Sequence, residues 1–127
     1  MWEFEYVQQH SRNYDRLTRL HEIRINPGWG QAIADDVSSH YSGGLGNLEI
    51  SWTGRNNDRG TYYQYDQRIV VAKDTRLEVF CHELAHHVNW YKGARENTRK
   101  YWAMGVHTAD FTLALDHVAE LVEWEHC

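Results

Sequence analysis

The sequence is poor in cysteine and proline, and these shortages already exclude some classes of protein. Its 127 residues include only two cysteines, Cys81 and Cys127, and a single proline. Two cysteines are too few for the disulfide framework of a small secreted domain. No apolar run reaches the roughly 18 to 20 residues that a membrane-spanning helix needs. We therefore expect neither a disulfide-stabilised fold nor a membrane protein.

The first residues of the chain also lack the features of a secretory signal. Residues 1–5 contain neither a basic stretch nor the start of an apolar core. If this is the full-length product, we expect a cytoplasmic location. A chain of 127 residues suits one domain with one hydrophobic core. We therefore predict a single domain over residues 1–127.

Basic residues are fewer than acidic residues. The chain has 13 Lys and Arg against 18 Asp and Glu, for a formal net charge of −5. Nucleic-acid binding relies on clustered Lys and Arg that contact phosphates, so this balance argues against a nucleic-acid partner. Histidine, in contrast, is abundant, with nine residues. Because histidine is the commonest metal ligand, this abundance favours a metal site.

The first half of the chain has the pattern of two helices followed by strands. Apolar residues at helical spacing predict a helix over 11–23 and a shorter one over about 30–40. Strand candidates follow at 48–52 and 61–72, with turn residues 54–60 between them. These two segments are expected to form a hairpin or to lie as neighbouring antiparallel strands.

The second half has the pattern of two further helices. An apolar stripe from Leu77 to Val88 predicts a long helix, and Thr75 with Glu78 fits a capping box at its start. A last helix is expected to start near Thr108, with Asp110 in its first turn. Helices, a small sheet and two more helices predict an α+β domain.

The segment His82-Glu83-Leu84-Ala85-His86 is an HExxH motif. Side chains four residues apart project from one face of a helix, so His82 and His86 can bind one ion together. Both are expected to point away from the apolar stripe, on an open side that Glu83 shares. Zinc lowers the pKa of a bound water to roughly 7, and a neighbouring carboxylate can accept its proton. The motif predicts a small zinc-dependent hydrolase, with a peptidase favoured.

A catalytic zinc usually has three protein ligands and a fourth, open position. His87 is a poor third ligand because one residue rotates it about 100° from its neighbour. His107 is favoured, since it lies at the start of the last helix and can be directed back toward the pair. Three carboxylates of the last helix remain alternatives, because a carboxylate also satisfies zinc: Asp116, Glu120 and Glu123.

The HELAH motif, followed by His107-Thr108-Ala109-Asp110-Phe111, resembles the zinc-peptidase domain of SprT-like proteins, which include the Spartan-type proteases. That family pairs HExxH with a downstream His-Gly-x-x-Phe-like element. The resemblance is best over residues 48–122. It implies a small zincin-like domain with these roles: zinc ligands His82, His86 and His107, general base and acid Glu83, and packing residue Phe111.

The chain departs from that family in two respects. Thr108 stands where the family usually has glycine. The cysteines of a C-terminal zinc ribbon are missing, as is a basic tail for DNA. The resemblance therefore implies a zinc domain but not a role in DNA repair.

Two functions from different classes are consistent with these residues. The favoured one is a metallopeptidase that acts on a protein or peptide, with an extended substrate pairing with an exposed strand near 69–72. The alternative is a non-catalytic zinc-containing interaction module or small effector. The state of the fourth coordination position distinguishes the two, because a structural zinc site is closed by protein ligands. No oligomeric state follows from the sequence.

Overall fold

A computed structural model describes residues 14–54, 59–96 and 107–127. Over these ranges the chain is α+β, as predicted, with four α-helices and one three-stranded sheet. The elements are α1 (Tyr14–His21), α2 (Pro27–Ser39), β1 (Glu49–Thr53), β2 (Gly60–Tyr63), β3 (Arg68–Ala72), α3 (Leu77–Lys92), a 3-10 turn (Ala94–Glu96) and α4 (Ala109–His126). Among the described helices, none is both long enough and apolar enough to cross a membrane.

Both N-terminal helices are present, with boundaries that differ from the prediction. The described part of the first runs from Tyr14 to His21, and residues 11–13 of its predicted range lie outside the described residues. The second begins at Pro27 rather than at residue 30. Asn26 caps it by accepting a hydrogen bond from the Trp29 amide at 2.8 Å, and proline suits the first helical position.

The sheet has the order β1-β3-β2, which differs from the prediction. The predicted strand over 61–72 is itself a hairpin: β2 and β3 pair antiparallel, and residues 64–67 form the turn. β1 pairs with β3 in the parallel direction, so the antiparallel pairing expected for 48–52 and 61–72 is wrong. The segment near 69–72 lies in the central strand, paired on both sides, and therefore offers no edge to a substrate.

The predicted capping box at the start of α3 is not formed. Arg76, not Thr75, is the N-cap residue, and its side chain makes no capping hydrogen bond with the helix. The Leu77 amide instead donates to the Ile23 carbonyl at 2.7 Å. Glu78 is buried and pairs with His21 Nδ1 at 2.8 Å. A contact distant in sequence thus replaces the local cap.

Helix α3 lies at the centre of the fold, packed against both α4 and the sheet. The predicted apolar stripe is buried, as the core cluster shows: Leu77, Phe80, Cys81, Leu84, Ala85 and Val88. The expectation that the motif lies on an open side is wrong. His82 and His86 are each 7% exposed, and Glu83 is 4% exposed. An apolar stripe shows that one face of a helix is buried. It carries no information on whether another element packs against the opposite face.

Candidate metal centre

Three histidine side chains converge between α3 and the start of α4. His82 and His86 lie one turn apart on α3, and their Nε2 atoms are 3.2 Å apart. His107 immediately precedes the N-cap residue of α4, and its Nε2 lies 3.2 Å from that of His86. One nitrogen from each ring falls within 4.8 Å of the others. The structure thus brings together the three histidines that the sequence singled out.

The separation of these nitrogens suits a shared ion. A zinc ion with Zn–N bonds of about 2.0–2.1 Å in tetrahedral geometry places two ligand nitrogens about 3.3–3.4 Å apart. The observed 3.2 Å between the Nε2 atoms of His86 and of each neighbour is close to this value. Imidazole nitrogens are ligands for several transition metals. The group can therefore hold a metal ion.

Phe111 packs against all three imidazoles. Its ring stacks on His86 with centroids 4.2 Å apart, and lies 5.1 Å from His82 and 5.0 Å from His107. The phenyl ring is completely buried. Thr108, the N-cap residue of α4, fixes this arrangement by accepting a hydrogen bond from the Phe111 amide at 3.2 Å. One cap therefore positions both the third histidine and the ring behind it.

His87 makes a different set of contacts, as its rotation on the helix predicts. Its Nε2–H donates to the Leu45 carbonyl at 2.6 Å, and its Nδ1 lies 2.6 Å from the Tyr62 hydroxyl. Burial lowers the pKa of His87, and the nearby Arg95 charge lowers it further, while the bond to Leu45 acts in the opposite direction. The neutral ring can therefore accept a hydrogen bond from the Tyr62 hydroxyl at Nδ1.

The three alternative carboxylates do not join the group within the described residues. Glu123 binds α1 instead, with Oε1 3.0 Å from Arg16 Nε and 2.9 Å from a terminal nitrogen of Arg19. The hydrogen bond from Arg19 is the main cause that lowers the pKa of Glu123. Glu120 is exposed, and Asp116 is buried outside the group.

Strand β2 covers the side of α3 that carries Glu83. Gly60 and Tyr62 form its inner face, while the residues between and after them are exposed. A Cβ atom added to Gly60 would lie only 2.7 Å from Glu83 Cγ. The Tyr62 ring is parallel to that of His86, with centroids 6.5 Å apart. The sequence pattern assigns Gly60 to a turn and Tyr62 to a strand, and it connects neither residue with the site. The signal that could have done so is alternation along β2, which places both residues on the same face of the strand.

Family models, curated proteins and solved structures all give no match to this chain. The resemblance to SprT-like proteins therefore depends on the HExxH motif and the segment 107–111 alone. Within the described residues, the geometry of the three histidines and their surroundings is therefore the main indication of function.

Proposed function

We propose that this protein is a zinc-dependent metallopeptidase that hydrolyses peptide bonds in a protein or peptide substrate. His82, His86 and His107 would hold the zinc, and Glu83 would act as general base and acid. The observation that supports the proposal is the convergence of three imidazole nitrogens, two of which come from the HExxH helix. Three histidines are an established ligand set of catalytic zinc.

The chain's own residues would share the chemistry as follows. Zinc, when bound, would polarise the scissile carbonyl and lower the pKa of water. Glu83 follows His82 on α3 and is buried, so its carboxyl group lies in a poorly solvated environment. It would take a proton from the attacking water and deliver it to the leaving amine. Phe111 would exclude water from the rear of the imidazoles.

The same proposal includes a SprT-like, zincin-like domain. Its support is the segment from His107 to Phe111, which supplies both a third histidine and a ring packed on all three imidazoles. Thr108 stands where the family usually has glycine, and it caps α4 by accepting a hydrogen bond from the Phe111 amide. We also propose a cytoplasmic location, with the free Cys81 and Cys127 supporting a reducing compartment.

Burial of the site favours one alternative, a non-catalytic zinc-containing interaction module or small effector. His82, His86 and Glu83 are each less than a tenth exposed. A structural zinc site is closed, whereas a catalytic site keeps one position open. Cobalt-substituted protein titrated with acetohydroxamate distinguishes the two. A change in the visible spectrum supports an open coordination position and hence the enzyme. An unchanged spectrum supports a closed zinc site and hence the non-catalytic module.

A cleavage screen tests the peptidase directly. Zinc-loaded wild type and Glu83→Gln are incubated with a peptide library, and new termini are identified by mass spectrometry. We expect cleavage by the wild type only, with equal zinc content in both proteins, because the amide keeps the shape but cannot accept the proton. Cleavage by Glu83→Gln at the wild-type rate would refute the assigned role of Glu83. No cleavage by the wild type would refute the peptidase.

A further inference from the structure

Strand β2 and helix α3 have matching spacing where they pack together. Gly60 and Tyr62 are two strand positions apart, which is about 6.6 Å. Glu83 and His87 are one helical turn apart, which is about 6.0 Å. Gly60 lies against Glu83, and Tyr62 lies against His87. The strand therefore contacts the helix at two points, and the spacing between these points is nearly the same along both elements.

His87, the partner of Tyr62, forms hydrogen bonds through both of its ring nitrogens. Because a carbonyl oxygen can only accept, the bond to Leu45 places the His87 proton on Nε2. Nδ1 of the same ring lies 2.6 Å from the Tyr62 hydroxyl and forms a second hydrogen bond with it. His87 thus joins α3 to β2 and to the chain segment between α2 and β1. With both ring nitrogens engaged, the imidazole has little freedom to rotate.

The contact at Gly60 leaves no space for a side chain. A Cβ atom there would lie 2.7 Å from Glu83 Cγ, 3.0 Å from Val71 Cγ1 and 3.2 Å from Val79 Cγ1. The separation of 2.7 Å from Glu83 Cγ is too short for two non-bonded carbon atoms. The backbone of β2 at this position therefore limits where the Glu83 side chain can lie.

We propose that the Tyr62–His87 hydrogen bond fixes the register of β2 along α3, so that Gly60 lies on Glu83 and holds its side chain in place for catalysis. Gly60 and Tyr62 are then positioning residues for the reaction. This inference rests on the proposed function for its catalytic part. Its structural part, the register, stands on the contacts alone and can be measured without substrate.

The register is measured by NMR on the zinc-loaded full chain. A nuclear Overhauser cross-peak between Gly60 Hα and Glu83 Hγ is expected in the wild type, and Tyr62→Phe should remove most of its intensity. Tyr63→Phe is the matched control, because Tyr63 lies on the opposite face of β2 and is exposed. It should keep the cross-peak. An unchanged cross-peak in Tyr62→Phe overturns the proposed register lock.

The catalytic part is measured by kinetics on a peptide from the cleavage screen. We expect kcat to fall about 100-fold in Gly60→Ala and about 10-fold in Tyr62→Phe, with KM and zinc affinity little changed. Gly54→Ala is the control, since a Cβ there meets no atom of the described residues within 4 Å. A wild-type kcat in Gly60→Ala overturns the positioning role. If the wild type cleaves no peptide, the peptidase proposal fails, and the cross-peak still decides the register.

Discussion

The Nε2 atoms of His86 and His107 lie 3.2 Å apart although the residues are 21 positions apart in the chain. Two uncharged nitrogens at this distance gain little from each other unless a proton or a metal ion lies between them. The same separation joins His86 to His82, which makes His86 the central member of the group. An ion bound by all three would connect α3 to the start of α4.

Phe111 should stabilise both the core and the metal site. Phe111→Ala removes a fully buried ring from between α4 and the imidazoles, and we expect a loss of about 3–5 kcal/mol in the free energy of unfolding. Zinc affinity should also fall by about 10-fold, because the rings lose the packing that orients them. Urea denaturation and chelator competition measure the two effects.

Leu113→Ala is the matched control for Phe111→Ala, since Leu113 lies on the same helix and is 51% exposed. It should change stability by no more than about 0.5 kcal/mol. A zinc affinity that is the same in Phe111→Ala and the wild type would show that the ring contributes only to the core.

Two threonines provide a test of helix capping. Thr108 accepts from the Phe111 amide, so Thr108→Val should cost about 1 kcal/mol. Thr75 is fully buried, and its hydroxyl has no hydrogen-bond partner among the residues that the structure describes. Thr75→Val should therefore be neutral or stabilising, by up to about 1 kcal/mol. Thermal unfolding measures both variants. If Thr75→Val loses as much stability as Thr108→Val, the result would instead support the capping box predicted from the sequence.

The pair between Glu123 and the α1 arginines should make stability depend on pH. Arg19 and Arg16 lower the pKa of Glu123 in the folded protein. As pH falls, the unfolded chain therefore binds this proton first. The contribution is complete above the ordinary carboxyl pKa and is lost as pH falls through the lower, folded value.

Glu123→Gln should thus cost about 0.5–1 kcal/mol near pH 7, a small value because Arg19 is exposed and salt screens the pair. The cost should disappear at acid pH, below the folded pKa. Urea denaturation across a pH series measures it. Glu120→Gln, which removes one exposed charge from the same helix, is the control. A cost that is constant with pH would contradict the assigned pair.

The sequence predicts the histidine group well because its constraints are local. Helical periodicity places His82 and His86 on one face without any knowledge of the rest of the fold. The start of α4 follows from Thr108, a good N-cap residue, and this places His107 at the beginning of that helix. His87 can be excluded as a third zinc ligand for the same kind of local reason, because successive side chains on a helix point in directions about 100° apart.

The errors arise where distant contacts decide the structure. β1 pairs with β3 rather than with β2, the next strand along the chain, and alternation within each strand carries no information on partners. The Glu78 carboxylate faces His21, 57 residues away, instead of capping its own helix. The burial of α3 on both sides, and the contact of Gly60 with Glu83, likewise depend on elements that meet only in the folded chain.

The most direct test of the central claim is the zinc content of the purified protein. Elemental mass spectrometry and chelator competition are applied to the wild type, His107→Ala and Glu123→Ala. We expect about one zinc per chain in the wild type and in Glu123→Ala, and a greatly reduced affinity in His107→Ala only. No zinc in the wild type, even when zinc is supplied, or equal affinity in all three proteins, would contradict the three-histidine site.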